Sequence, residues 1–193
     1  MNRRIWMALA GTAALGVAYP SARAQTAGAS AGAGAGAIPR PLRSLAVLEF
    51  ELVDDQNNPL TKAAQEVRLR NATQQIQREL SERGLYRVVD PAPSHALQTK
   101  LRSEQEFLYR CDDCASQAGK LLGVDLVMAT WVQKVSELIL NLNVQIFDVA
   151  AQKVIFSKSV DMRGNEDQSW TRAVRYLVRD MAEKRELNPK YGQ

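Results

Sequence analysis

Residues 137–148 read ELILNLNVQIFD and residues 153–163 read KVIFSKSVDMR, and these two stretches decide the fold. In the first stretch, large apolar residues alternate with polar residues such as Asn141 and Asn143. This period of two is typical of a β-strand that buries one face. Only residues 149–152 separate the two stretches, so we expect them to form an antiparallel hairpin.

The neighbouring segments predict one more strand and two helices. Residues 124–135 form a mostly apolar run with β-branched and aromatic residues, which is typical of a central strand covered on both faces. Trp131, in the middle of this run, is expected in the core. A helix is predicted before it at 115–122, with Gly123 as its terminator. After the hairpin, apolar residues between 170 and 181 recur at helical spacing and predict the last helix.

The first half of the domain predicts strands that alternate with helices. The predicted elements are a strand at 44–52, a helix at 61–83, a strand at 86–89 and a short helix at 94–102. In the first strand, Ala46, Leu48, Phe50 and Leu52 are expected on one face, and Thr61 is expected to cap the first helix.

The complete order of elements is β-α-β-α-α-β-β-β-α, and it indicates an α/β (α+β) fold. The first half permits parallel crossovers, whereas the last three strands form an antiparallel meander. We therefore predict one domain with a mixed sheet of about five strands and helices packed on it.

The amino terminus has the order of segments that directs secretion. The basic residues Arg3 and Arg4 precede an almost wholly apolar segment, and an A-x-A cleavage site ends at Ala24. We predict that residues 1–24 are a signal peptide, which directs export by either the general secretory pathway or the twin-arginine pathway. The apolar segment is short for a membrane anchor. The mature protein is therefore expected to begin at Gln25, to lack a transmembrane segment and to reside in the periplasm.

The rest of the chain divides into a leader, one domain and a tail. Residues 25–43 are mostly Ala, Gly, Ser and Thr, and such a segment buries too little apolar surface to become ordered. We predict a flexible leader there, a single domain at 44–185 and a tail at 186–193. Three arginines and no acidic residue leave with the signal peptide, so the net charge falls from +4 to +1. Charges of both signs are interspersed, and we expect no nucleic-acid partner.

Six short motifs are spread across the predicted domain. They are LAVLEF at 45–50, LSERGLYRVVD at 80–90, CxxCA at 111–115, LGVD at 122–125, VQKVS at 132–136 and GNxDxSW at 164–170. Together they resemble a family of small secreted proteobacterial proteins of unknown function. The strand and turn motifs are also similar to the amino-terminal domain of TolB and to the periplasmic part of curli-secretion proteins. The resemblance implies a periplasmic α/β module and no particular reaction.

Cys111 and Cys114 form a C-x-x-C pair at the start of a predicted helix. In an oxidising compartment such a pair is typical of a structural disulfide. Thiol redox activity is an alternative, because a helix N-terminus stabilises a thiolate, but Asp112 and Asp113 oppose it. Metal binding is a third possibility, although zinc needs four ligands and a distant His95 does not complete the set. We predict a structural disulfide, no metal and no cofactor.

The segment 164–170, GNEDQSW, is the second candidate site. A glycine turn places Asp167 or Ser169 to cap the last helix, and Trp170 then begins the apolar stripe of that helix. This structural interpretation competes with a binding loop formed by Asn165, Asp167 and Trp170. The sequence leaves both open.

Two other polar features have simple explanations. His95 is the only histidine, and no motif places a nucleophile beside it, so we expect a surface or capping role. Asp54, Asp55, Asn57 and Asn58 could offer oxygens to a cation. Their spacing does not match a calcium loop, however, and turns favour the same residue types. We predict no catalytic or metal site from these residues.

Three classes of function are therefore open. The first is a non-enzymatic binding or assembly module whose partner is another periplasmic or envelope protein. The second is a thiol-disulfide redox protein that uses Cys111 and Cys114. The third is an enzyme with a site built from carboxylates, which needs a large concave pocket. The sequence favours the first class, because it combines an export signal and a leader with no recognisable catalytic motif.

Overall fold

A computed structural model describes residues 41–54, 56, 58–111 and 113–193. The predicted signal peptide, most of the predicted leader, Asp55, Asn57 and Asp112 lie outside these residues. The strands are β1 (Ser44–Val47), β2 (Glu51–Asp54), β3 (Arg87–Val89), β4 (Leu126–Lys134), β5 (Ile139–Asp148) and β6 (Lys153–Arg163). The helices are α1 (Pro59–Glu82), α2 (His95–Glu104), α3 (Cys114–Leu122) and α4 (Asp167–Leu187), with short 3₁₀ segments at Ala92–Ser94 and Leu108–Arg110.

The strands form one mixed sheet in the order β3-β1-β4-β5-β6, and β2 also pairs with β4. The pairs β1–β3, β1–β4 and β2–β4 are parallel. The pairs β4–β5 and β5–β6 are antiparallel, and the β5–β6 hairpin closes with Asp148 opposite Lys153. The predicted mixed sheet, its carboxy-terminal meander and the α/β fold class are confirmed.

The sheet has six strands instead of about five because the first predicted strand is interrupted. Val47 lies opposite Met128 and Glu51 lies opposite Trp131, so three residues of the first strand face two residues of β4. This extra residue is the signature of a β-bulge, which separates β1 from β2. Within the interruption, the amide of Phe50 donates to Oγ1 of Thr73 in α1 at 3.1 Å.

The bulge reverses the direction of the side chains that follow it. Leu48 packs with Ala46 on the face covered by α2 and α3, whereas Phe50 packs with Val47 on the face covered by α1 and α4. The expectation that Ala46, Leu48, Phe50 and Leu52 share one face is therefore wrong. One extra residue is enough to exchange the two faces, since side chains alternate with a period of two.

The helices cover the two faces of the sheet unequally. Both α1 and α4 pack over the larger core, where the predicted stripe of α4 is buried. Its members are Trp170, Ala173, Val174, Leu177, Val178 and Met181. On the other face, α2 and α3 cover a smaller cluster that contains Ala46 and Val127. Polar side chains of β5, such as Asn141 and Asn143, lie on this second face and are half-buried.

The helix ends follow local chemistry. Oδ1 of Asn58 accepts a hydrogen bond from the amide of Leu60 at 3.0 Å, and Pro59 is the first helical residue. Asn58, and not Thr61, therefore caps α1. Gly123 follows α3 with a φ of 62°, as expected for a left-handed helix terminator.

The last residues of the chain, for which the sequence predicts a tail, pack against the domain. The hydroxyl of Tyr86 donates to the carbonyl of Gly192, and the ring of Tyr191 lies edge-on to Phe156 at 5.3 Å. Nε of Arg185 donates to the carbonyl of Tyr191 at 3.0 Å. These contacts attach the carboxyl terminus to the sheet through side chains that lie far apart in sequence.

Candidate functional site

A depression lies along one side of α1, and we call it the α1 groove. It consists of two adjoining cavities of about 440 and 520 Å³, which share Glu66 and Leu69 of α1. The first cavity also involves Asp54, Lys62, Phe107 and Arg110, and the second involves Phe50, Arg70, Asp90 and His95. The groove is thus lined by a mixture of acidic, basic and apolar side chains.

The topology of the sheet explains why a groove forms at this place. The connection through α1 leads from β1 and β2 to β3 on one side of β1, and the connection through α2 and α3 then returns from β3 to β4 on the other side. The carboxyl ends of these parallel strands lie at the same edge of the sheet. Ligand sites in open α/β sheets form at such an edge, next to the strand where the direction of the connections changes.

Glu51 is the buried carboxylate beside the groove, and the bulge directs it toward the face of α2. Its side chain is 8% exposed. Its carboxylate accepts hydrogen bonds from the amides of Leu108 at 3.0 Å and Tyr109 at 3.4 Å. Arg102 donates to the same carboxylate at 3.4 Å. Burial raises the pKa of Glu51, although these donors oppose the rise. Its evident role is to hold the 3₁₀ segment against the sheet.

Charged side chains from β1–β2 and α2 meet at the rim of the second cavity. Glu49 lies 3.4 Å from Nη1 of Arg102 and 3.9 Å from Nε2 of His95. His95 is the first residue of α2 and is half exposed. The sequence predicts a surface or capping role for this histidine, and its position at the start of a helix agrees with that interpretation.

An aromatic cluster lies next to the first cavity. The ring of Tyr109 stacks on Trp131 with centroids 4.1 Å apart and planes 5° apart. The guanidinium of Arg110 lies 5.4 Å from the ring centroid of Phe107 and 5.3 Å from that of Tyr109. Trp131 is half-buried and belongs to neither core cluster, so its predicted core position is wrong.

Cys111 and Cys114 are joined by a disulfide that links the 3₁₀ segment to α3. Their Cα atoms are 5.5 Å apart, and α3 begins at Cys114. Cys114 is buried in the smaller core with Leu108 and Ala118. This placement fits the structural interpretation, in which the bond holds the segment whose amides cap Glu51.

Replacing this pair in the variant C111S/C114A is expected to lower the melting temperature by a few degrees. A ring this small contributes about 2 kcal/mol at most, and about 1 kcal/mol shifts the melting temperature of such a domain by roughly 2–4 °C. Thermal unfolding with and without a reductant measures the effect, and the double variant should not respond to the reductant. A variant that is as stable as the parent but has lost its biological activity would favour the redox alternative.

The GNxDxSW segment belongs to a hydrogen-bond network. Nε1 of Trp170 donates to Oδ1 of Asn165 at 3.0 Å, and Nδ2 of Asn165 donates to Glu137 at 2.9 Å. Trp170 and Asn165 are both buried. Asp167 differs, because its side chain is 83% exposed and pairs with Nε of Arg68 at 2.6 Å. The structure thus brings the three residues of the candidate binding loop together, but it turns two of them inward.

The network continues to a fully buried lysine that the sequence analysis missed. Nζ of Lys134 lies 3.0 Å from Asp54 and 2.5 Å from Glu137, and its side chain is 0% exposed. Burial disfavours the charged forms of both Lys134 and Asp54, but the hydrogen bonds that these groups make stabilise the charged forms by more. The pKa of Lys134 is therefore raised and that of Asp54 lowered. Hydrogen bonds from Lys134 and Asn165 lower the pKa of Glu137.

A signal for this lysine does exist in the sequence. Lys134 lies near the end of the apolar run 124–135, in a strand that is predicted to be covered on both faces, and a lysine there requires acidic partners. Two of the polar residues considered for cation binding have structural roles: Asp54, the last residue of β2, binds Lys134, and Asn58 caps α1. Asp55 and Asn57 lie outside the described residues. Among the residues that the structure describes, no cluster of His, Cys, Asp and Glu could hold a metal ion.

The fold and site define a small α/β domain with an open groove at the carboxyl ends of its parallel strands. The chain belongs to the family described as "Protein of unknown function (DUF2380)", whose model matches residues 43–181. The predicted resemblance to a family of unknown function is confirmed at this level. A comparison with curated proteins found no match. No helix in the described part of the chain is long and apolar enough to cross a membrane.

Three solved structures similar to this chain come from bacterial proteins. LpoB from Escherichia coli has 15% identity and a TM-score of 0.46 over 64% of this chain and 59% of that chain. PelC from Paraburkholderia phytofirmans has 9% identity and a TM-score of 0.44 over 71% and 86% of the two chains. TolB from Acinetobacter baumannii has 10% identity and a TM-score of 0.44 over 78% and 29%. With TM-scores below 0.5, we transfer no activity or partner from them.

Proposed function

We propose that this protein is a binding module of the bacterial cell envelope and that its α1 groove binds a segment of another envelope protein. On this proposal, residues 1–24 direct export and are removed, and residues 25–43 tether the domain. The observation that carries the proposal is the open groove of two joined cavities, with acidic, basic and apolar walls. Such a mixed lining suits a polypeptide segment, because polar groups provide specificity around an apolar contact.

The state of the buried ionisable groups also supports binding rather than catalysis. Glu51 is engaged by two backbone amides, and Lys134 is engaged by Asp54 and Glu137. The exposed Asp125 is engaged as well, because it accepts hydrogen bonds from the hydroxyl and amide of Ser44, and these bonds lower its pKa. A group that already stabilises the fold through short contacts is poorly placed to exchange protons with a substrate.

The test uses two double charge reversals on the same helix. In the groove variant, E66K/R70E, two exposed residues that line the groove exchange charge. In the control, R78E/E82K, an exposed pair elsewhere on α1 changes in the same way, with the same spacing and the same net charge. Each tagged full-length chain is expressed in a Gram-negative host and captured from the periplasmic fraction. Mass spectrometry compares the captured proteins and checks that each mature chain begins at Gln25.

We expect one envelope protein to be captured by the parent and the control, and its recovery to fall about tenfold or more with the groove variant. Circular dichroism should show that both variants remain folded. Equal recovery on parent, control and groove variant would contradict the proposed groove. Intact chains that retain Met1 in the membrane fraction would contradict the proposed export and cleavage.

A further inference from the structure

The outer edge of the sheet offers a second surface, separate from the α1 groove. β6 is the last strand of the sheet, and among the described strands it pairs only with β5. Ile146 lies opposite Phe156 and Phe147 lies opposite Val154, so Ile155 is an extra, bulged residue. From Phe156 to Arg163 the strand is regular and contains no glycine or proline.

The position of the bulge distinguishes the two halves of this edge strand. Proteins often prevent unwanted pairing at an edge strand with bulges, prolines or charged residues. In β6 the bulge disturbs only the first half of the strand. The second half keeps the regular geometry with which another extended chain can pair through its backbone.

A cavity of about 620 Å³ lies between the regular half of this edge and α4. Residues 159–163 of β6 form one wall, and Ser169, Arg172, Ala173 and Tyr176 of α4 form the other. The buried side chains of Val160 and Met162 are part of this lining. A free strand edge with an adjacent helix and a partly apolar hollow is the arrangement by which several domains bind extended peptides as an added strand.

The charges around this cavity are mainly positive. Its lining exposes Arg172 on the α4 side, and Arg163 with one acidic residue, Asp161, on the opposite face of the sheet. Helical spacing places Arg175 and Arg179 on the same side of α4 as Arg172, and both are exposed, with Arg179 paired to Glu183 at 3.6 Å. An extended segment that pairs with β6 would therefore carry its side chains past several arginines, which favours acidic residues.

We propose that the edge of β6 binds an extended acidic segment of another protein, which adds to the sheet as a further strand. Its backbone pairs with residues 156–163. On the α4 side of the sheet an apolar side chain enters the hollow beside Met162 and a carboxylate faces Arg172, and on the opposite side a second carboxylate faces Arg163. This surface does not depend on the α1 groove, so either proposal can fail without the other.

The probe is a fluorescein-labelled peptide of about eight residues in which central valine and leucine residues are flanked at each end by two glutamates, so that both faces of an added strand carry carboxylates. Fluorescence anisotropy measures its binding to the mature protein. We compare it with the same peptide carrying lysine in place of glutamate. Two further peptides carry N-methyl groups on one or the other set of alternate residues, since only alternate amides of an added strand face its neighbour.

We expect the glutamate peptide to bind at least about tenfold more tightly than the lysine peptide. We expect one N-methylated peptide to lose binding and the other to retain it. The variant R163E/R172E should weaken binding about tenfold or more. The control R78E/R83E changes the net charge equally at exposed residues in and directly after the last turns of α1, and it should bind as the parent does.

Three results would overturn the proposal. Equal binding of the two N-methylated peptides excludes strand addition, and this comparison needs no protein variant. Unchanged affinity of R163E/R172E excludes the edge as the site. A dimer in sedimentation experiments that R163E/R172E abolishes would show that the occupant is a second copy of this chain.

Discussion

Replacing Lys134 with methionine lowers the free energy of unfolding by about 3–5 kcal/mol, because a buried carboxylate then loses its partner. Lys134 is fully buried and contacts Asp54 at 3.0 Å. Methionine keeps the apolar part of the side chain but leaves Asp54, which is itself nearly buried, without its cation. Glu137 contributes less to the loss, since its side chain is half exposed and can be solvated. Urea unfolding followed by circular dichroism measures the change.

Two variants separate the ion pair from the simple removal of a lysine. Lys120→Met removes an exposed lysine and should change stability by no more than about 0.5 kcal/mol. In the double variant D54N/K134M the buried site is neutral, so it should be more stable than K134M alone. If K134M is within about 1 kcal/mol of the parent, Lys134 does not hold this site together.

The same ion pair predicts a dependence on pH. The pKa values of Asp54 and Glu137 are lowered in the folded protein, so their contribution is complete above their unfolded values, about 4. It is lost as the pH falls through the folded values. The raised pKa of Lys134 confines the loss on the alkaline side to strongly basic pH. In K134M the buried Asp54 resists ionisation, so the stability difference from the parent should shrink below about pH 5.

Replacing Trp170 with alanine is expected to lower the free energy of unfolding by about 3–5 kcal/mol, because it empties a large volume of the core. Trp170 is 2% exposed and belongs to the larger core cluster. The loss also leaves Oδ1 of Asn165 without its 3.0 Å donor, the indole N–H. Thermal and urea unfolding measure both effects together.

Milder variants distinguish the structural role of this segment from a binding loop. Trp170→Phe keeps most of the buried volume and removes the hydrogen bond, so it should cost about 1–3 kcal/mol. Asp167→Ala removes an ion pair of a largely exposed carboxylate and should cost less than about 1 kcal/mol. If Trp170→Phe and Asn165→Ala keep the stability of the parent but lose the captured envelope protein, the segment is a binding loop.

The candidate sites were predictable to different degrees. The C-x-x-C pair indicated a disulfide because two residues between the cysteines allow their sulfurs to meet. The GNxDxSW segment was recognisable as polar from the sequence, but its structural role was not. That role depends on the hydrogen bond from Asn165 to Glu137, which lies in the distant turn between β4 and β5. The α1 groove had no local signal. Its walls come from α1, the β1–β2 bulge and the segment before Cys111, which only the folded chain brings together.

Trp131 and Glu51 show why burial was harder to predict than secondary structure. An apolar run in a sequence does not determine how far the covering helices extend over the strand. Here Trp131 is covered by the ring of Tyr109 and not by α2 or α3. Strict alternation along the first predicted strand places Glu51 on the face opposite Ala46 and Leu48. The bulge instead places it where the amides of residues 108 and 109 bury it.

The sequence by itself determined the elements, their order and the fold class of this protein. Period-two alternation, helical apolar stripes and glycine terminators are local properties, and each of them acts within a few residues of the chain. The tertiary structure alone decided the bulge, the Lys134 ion pair, the α1 groove and the free edge of β6. These features depend on strand register and on contacts between residues far apart in sequence, such as Asp54 with Lys134. Interactions between neighbouring residues do not determine such contacts.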